Sequence, residues 1–211
     1  MGAGPRRPGI QGVTLIELMV ALAILGISLL MVIPAFSTWL RNAQVRSQAE
    51  NLQSGLQMAR AEAVRRNTPV RLQIISDLSN SCTLVSAGTQ WVSNLGSDVS
   101  PASLCASALS DTSSPYLLQR SAGSNSSNNA LITASQSTLA FDGLGRLTAT
   151  TQPSTSASAT VTFQLSAPGG TCIAASGDTR CLNLVVSPGG QIRLCDPSLS
   201  SAQVADRARA C

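Results

Sequence analysis

An α+β chain, with one long N-terminal helix packed on an antiparallel β-sheet, is predicted by three observations. An apolar run over residues 13–36 carries a single charge, Glu17. Apolar residues then recur at three- and four-residue spacing as far as Pro69, which is helical periodicity. Beyond Val70 the chain breaks into short β-prone runs separated by stretches rich in Ser, Thr, Asn and Gly, the pattern of strands and surface loops.

The N-terminal elements come first. Residues 1–12 hold Arg6 and Arg7 and end in Gly12, the one good small-residue cleavage site, which lies before the apolar run. A secretory signal peptide is cut after its apolar segment, so here residues 1–12 are expected to leave as a leader and residues 13–36 to stay. At about 1.5 Å rise per residue the retained run is about 36 Å long, enough to cross a bilayer. The two arginines keep the N-terminus cytoplasmic and send the rest across. The expectation is a single-pass inner-membrane protein with a periplasmic C-terminal domain. Glu17 costs about 2–3 kcal/mol in such a helix and calls for a cationic partner. Cleavage after Gly12 would free an α-amino group at Val13, one helical turn from Glu17, in the same chain or in a packed neighbour. Pro34 removes one ladder bond and must bend or end the helix.

Residues 37–67 continue as an amphipathic helix. Val45, Ala49, Leu52, Leu56, Ala59 and Ala63 share one face, and Arg46, Glu50, Arg60 and Arg66 lie opposite, so the apolar stripe needs a sheet to cover it. Residues 68–211 form the β-rich part. Strands are expected at 70–75, 82–86, 90–92, 116–120, 138–142, 160–165, 182–187 and 191–195, with loops at 94–114, 121–137 and 148–159.

Composition bounds the chemistry. The chain has 211 residues, and what remains beyond the leader and span suits one domain with a helical stalk. Aromatics are only 3%, so the core is expected to be thin and cross-links would help. Cys82, Cys105, Cys172, Cys181, Cys195 and Cys211 all lie in the part expected to be exported, where oxidation is favoured. Six thiols permit fifteen pairings and spacing does not choose among them; pairing between sequence neighbours is the expectation, because each such pair flanks a loop. There is no histidine and no Cys-x-x-Cys, so no metal site is expected. Without His, with scattered acids and with serines that have no base nearby, no catalytic group and no cofactor are expected either. Gly143-Leu-Gly145-Arg146 lacks the strand and helix of a phosphate loop and reads as a hairpin turn.

The formal charge is +4 and every cation is arginine. From Leu72 to Cys211 six arginines face seven aspartates, so that part is about neutral. The basic surplus lies earlier, in Arg41, Arg46, Arg60, Arg65, Arg66 and Arg71 against Glu50 and Glu62.

Gly12-Val-Thr-Leu-Ile-Glu17 followed by an apolar helix resembles the class III leader of type IV pilins and of the pseudopilins of type II secretion. Ala59-Arg60-Ala61-Glu62-Ala63-Val64-Arg65-Arg66-Asn67 resembles the signature of the GspH/FimT subset. The resemblance implies a type IV pilin-like fold and a minor structural subunit. It implies cleavage by prepilin peptidase after Gly12 and methylation of Val13, where the family usually has Phe. It implies assembly with other major and minor pilins or pseudopilins through Glu17 and Pro34. In some FimT-like pilins of naturally competent bacteria a Gly-Arg-x-Arg motif binds DNA. Here Gly190, Ile192 and Arg193 keep its spacing while Gln191 replaces the first arginine, and Arg207 and Arg209 could add charge if Cys211 were bonded back to Cys195. Two readings of function follow. The first is a structural subunit in assembly of a type IV pilus or a type II secretion pseudopilus. The alternative is a DNA-binding minor pilin for uptake in natural transformation.

Overall fold

The computed structural model describes residues 12–96, 98–122, 130–151, 154–155, 159–200, 202–203 and 209–211, with the side chains of 29–35 outside that description. The chain divides into two compact units, Met1–Trp39 and Leu40–Cys211.

Helix α1, Leu15–Arg66, begins in the first unit and ends in the second, and its helical backbone is not ended at Pro34. In the first unit its apolar residues are exposed on every side, from Leu15, 78% exposed, and Ile16, 72%, through Leu22 and Ile24 to Ile27. Helices apolar all round are normally covered by lipid or by other helices. The Ser28 hydroxyl donates to the Ile24 carbonyl at 2.8 Å, so the helix satisfies its own polar side chain there. Among the described residues no helix is long and apolar enough to cross a membrane; the side chains of 29–35, part of the expected 13–36 span, lie outside the described residues.

The second unit holds all the strands: β1 (Val70–Ile75), β2 (Ala87–Gly88), β3 (Gln90–Leu95), β4 (Leu117–Arg120), β5 (Leu131–Ala134), β6 (Thr138–Phe141), β7 (Leu147–Thr148), β8 (Thr150–Thr151), β9 (Ser154–Thr155), β10 (Val161–Ser166), β11 (Leu182–Val186) and β12 (Ile192–Cys195). They form not one sheet but two five-stranded antiparallel sheets, in the orders β4-β3-β1-β6-β7 and β12-β11-β10-β5-β2, with β8 and β9 as a separate pair. Both sheets close over the predicted helix stripe. Leu72 and Ile74 of β1, Phe141 of β6, Phe163 of β10 and Leu184 of β11 join Val45, Leu52, Leu56 and Ala63 in one buried cluster. Gly55 allows the closest approach, since a Cβ there would stand 2.4 Å from the ring of Trp91. The indole Nε1 then donates to Asn51 Oδ1 at 2.9 Å, which satisfies its one polar group.

Strand β1 is buried on both faces. Its second face carries a smaller cluster of Ile75, Val92, Cys82, Cys105 and Leu117, roofed by the segment that leads to β4. The expected strand at 82–86 is therefore replaced by a loop end. Only Leu84 bridges, to Ile75, while Cys82 turns inward to the roof. The expected loop at 121–137 contains β5, whose four residues alternate in burial against β10. The expected loop at 148–159 contains the short β8–β9 pair. Strands of two to four residues inside polar stretches give too few alternations to stand out in sequence.

Arg71, grouped above with the helix surplus, is instead fully buried on β1. Burial lowers its pKa to about 10, against the raising effect of the Asp98 charge.

The six cysteines bond as Cys82–Cys105, Cys172–Cys181 and Cys195–Cys211. The first ties the roof, the second closes the loop around a short 3-10 turn at Ile173–Ala175, and the third returns the C-terminal residue to β12.

Candidate functional site

Two places carry the residues singled out in the sequence, one in each unit. In the first unit Gly12, Val13 and Thr14 precede the helix without regular structure. Thr14 occupies the N-cap position. Its hydroxyl accepts from the Glu17 N–H at 3.4 Å and its carbonyl accepts from the Leu18 N–H at 3.2 Å. Thr14-x-x-Glu17 is thus a capping-box sequence. A carboxylate in the first turn is also favoured by the helix dipole. Glu17 and Val13 are both exposed, and neither has a side-chain partner within the unit among the described contacts.

In the second unit the site is built at the C-terminal end of α1. The helix closes in a Schellman arrangement, with the Asn67 N–H on the Val64 carbonyl at 3.3 Å and the Thr68 N–H on the Ala63 carbonyl at 3.2 Å. Asn67 takes the left-handed position, φ 48°, which asparagine tolerates well. One turn earlier, Glu62 receives Arg65 at 2.6 Å and Arg66 at 2.7 Å, and Arg66 reaches on to Asp111 in the roof at 2.9 Å. The hydrogen bonds from Arg65 and Arg66 lower the Glu62 pKa to about 2, so this link is intact at neutral pH and weakens only in strong acid.

Arg60 does something different. Its Nε donates to the Gly145 carbonyl at 2.9 Å, in the turn between β6 and β7. The Leu147 N–H donates to the Pro188 carbonyl at 2.9 Å, which binds that turn to the Ser187–Gly190 turn before β12. Gly190 sits at φ 78°, and a Cβ there would meet the Gly145 carbonyl at 1.8 Å and Arg60 Nε at 3.1 Å. Helix and both turns therefore meet at a point where only glycine fits. The nine residues 59–67 thus fasten the helix: Ala59 and Ala63 are in the core, Arg60 holds the turns, Glu62 and Arg66 hold the roof, and Asn67 ends the helix.

The C-terminal candidates are partly gathered. Gln191, just before β12, and Arg193 on it are exposed, with Ile192 and Leu194 half-buried. Arg193 donates to the Cys211 carbonyl at 3.5 Å. The Cys195–Cys211 bond and the Asp196 N–H to Arg209 carbonyl contact, 2.6 Å, bring exposed Arg209 back beside β12. Arg207 lies outside the described residues. Other helix arginines already have acids within the chain, Arg46 with Glu50 at 2.9 Å and Arg41 with Asp178 at 3.6 Å. No group of three or more His, Cys, Asp or Glu able to hold a metal ion occurs among the described residues.

Comparison with known proteins matches residues 48–190 to the family described as Type II transport protein GspH and residues 7–33 to the Prokaryotic N-terminal methylation motif. No curated protein matches the chain. Among solved structures it is similar to the type IV minor pilin FimU of Pseudomonas aeruginosa in two crystal forms. Both are 20% identical, cover 76% and 75% of this chain and 92% and 94% of that one, and superpose with TM-scores of 0.44 and 0.42; a likeness at that level carries no argument about function. The family match spans the helix end, both turns and most of the two sheets, and the motif match covers Gly12, Val13 and Glu17. The chain belongs to the GspH family, whose members are pilin-like structural subunits in the assembly of a type IV pilus or a type II secretion pseudopilus.

Proposed function

We propose that the chain is made as a precursor, cut between Gly12 and Val13 by prepilin peptidase and methylated on Val13. It is then held in the inner membrane by residues 13–36 until other pilins or pseudopilins take up its helix. The observation that carries this reading is the helix start at Leu15, capped by Thr14 and followed by apolar residues exposed on all sides. Such a surface needs a cover, and lipid and then neighbouring helices supply it. Glu17 sits where a neighbour's freed amino terminus would neutralise it, and Pro34 adapts the helix to its neighbours. The sheet unit is the exported part, and its function is structural rather than catalytic.

The test is deletion of the gene in its own host and complementation. Wild-type chain is expected to restore surface filaments, or secretion if the machine is the secretion apparatus, and a chain starting at Thr38 is expected to restore neither. Full restoration by the truncated chain would defeat the reading.

A second reading has one observation in its favour, the placing of Arg209 and the C-terminal residue beside Arg193. As a DNA-binding minor pilin, the chain would contact phosphates without reading sequence, since no aromatic platform or recognition helix accompanies these arginines. A patch of Arg193, Arg207 and Arg209, helped by Gln191 and the Gly190 turn, gives a slope of log K on log salt near −3, at about one unit for each phosphate. Titration of the soluble part from Thr38 with duplex DNA at two salt concentrations checks it. Arg193→Ala should lower the slope by about one; binding indifferent to that change would remove this reading.

A further inference from the structure

A groove of about 700 Å3 runs between the last turns of α1 and the strand-turn before β12. Its floor is Ala61, Val64 and Ile192, its rim carries Arg60, Arg65 and Gln191, and no acid lines it. Val64, a large apolar side chain, is 51% exposed, and Leu144, in the turn that abuts Val64, is 69% exposed. The walls are fixed in advance. Arg60 is bonded to Gly145, the Gly145 turn is bonded to Pro188, and Gly190 fills the corner between them. A preformed, apolar-floored concavity with a few polar groups at its edge is the form that ligand sites take.

The charge at the rim indicates what enters. Arg60 makes no ion pair among the described residues; its Nε donates to a carbonyl. Arg65 is paired with Glu62, and Arg66 with both Glu62 and Asp111, so those two guanidinium groups meet two carboxylates and Arg60 supplies the net positive charge. The rim is left positive, and a carboxylate is the group that guanidinium recognises with paired hydrogen bonds. The floor asks for an apolar side chain beside it. Nucleic acid fits less well, because a phosphate backbone needs a stripe of cations and exposed bases need an aromatic face, and the groove offers two arginines over aliphatic carbon.

We infer that the groove between Val64 and Ile192 docks a segment of another protein that presents a carboxylate next to an apolar side chain, the carboxylate to Arg60 and Arg65 and the apolar group to the floor. This rests on the assembly reading, because the partner must meet the chain in the envelope. It names a surface distinct from the apolar helix of the first unit.

The experiment uses the full chain in its host membrane with a photo-reactive benzoylphenylalanine at Ala61 in the groove, at Leu22 on the apolar helix, or at Leu109 on the roof as an off-groove control, and identifies adducts by mass spectrometry. The expected result is an adduct from Ala61 to another protein, on a segment with Asp or Glu within a few residues. Arg65→Glu should lower its yield by about tenfold, the loss of one charge-assisted contact, with the Leu22 adduct unchanged. Val64→Glu, a change at an exposed position, should do the same and serves if Arg65→Glu melts early. No adduct from Ala61, an adduct to nucleic acid or to a second copy of this chain, one shared with Leu109, or a yield indifferent to both variants would overturn the inference. Adducts from Leu22 with none from Ala61 would leave the assembly role standing; loss of both would remove it as well.

Discussion

Replacing Cys82 and Cys105 together by serine is expected to cost about 3 kcal/mol of stability, the chain-entropy value for a closed loop of this order, and to lower the melting temperature of the soluble part by roughly 10 °C. The bond spans 23 residues, and what it ties down is the roof over the second face of β1. Beneath it lie Ile75, Val92 and Leu117, and the buried Arg71 on the same strand. The roof keeps other holds: Asn94 Nδ2 donates to the Val99 carbonyl at 2.8 Å, Arg120 donates to the Cys105 carbonyl at 3.3 Å, and Arg66 pairs with Asp111. The variant should therefore fold but open locally, with hydrogen exchange accelerated at Ile75 and Val92 ahead of the helix-facing residues. Cys172→Ser with Cys181→Ser is the control. Its loop spans nine residues and none of the 3-10 turn inside it is buried, so no apolar face is uncovered. Equal exchange behaviour in the two double variants would show that the roof does not depend on its cross-link.

Glu17→Ala is expected to leave membrane insertion intact while reducing recovery in sheared filaments, or with partner subunits, by about a hundredfold or more. Insertion alone gains, by about 2–3 kcal/mol, from loss of a charge. If Glu17 meets a neighbour's amino terminus as proposed, assembly loses one member of a charge pair formed away from water, and leaving the other member buried without it typically costs about 3–5 kcal/mol. Thr14→Ala separates this from helix capping. The Thr14 hydroxyl accepts from the Glu17 backbone, and loss of such a cap costs about 1 kcal/mol, so Thr14→Ala should assemble far better than Glu17→Ala. Similar recovery of the two variants, measured by quantitative immunoblot of sheared and membrane fractions, would place Glu17 in the cap alone.

What the sequence made legible followed from periodicity. The stripe Val45, Ala49, Leu52, Leu56, Ala59 and Ala63 is buried residue for residue, because a helix crossing under two sheets imposes one unbroken 3.6-residue rhythm. Strand β1 was plain for a similar reason, lying between Pro69 and a polar turn. The second sheet was less visible because β2 and β5 are short and sit among serines, so their identity depends on partners distant in the chain. Arg71 could not be placed from its charge. Its burial is set by the roof, and the roof is set by a pairing of Cys82 with Cys105 that spacing alone does not choose. The role of Arg60 was hidden in the same way. Its partners are the carbonyl of Gly145 and the corner at Gly190, and neither leaves a mark near residue 60. The Thr14 cap, by contrast, is legible in the Thr-x-x-Glu spacing, because both partners lie within one helical turn.

The central claim is that this is a processed, membrane-held pilin subunit, and intact-mass measurement of the full chain extracted from its host membrane tests it most directly. The account predicts one mature species that begins at Val13 and carries one added methyl group on its terminal nitrogen, and a Gly12→Val variant that keeps its leader. A species beginning beyond Phe36, or a wild-type chain that retains residues 1–12, would contradict it.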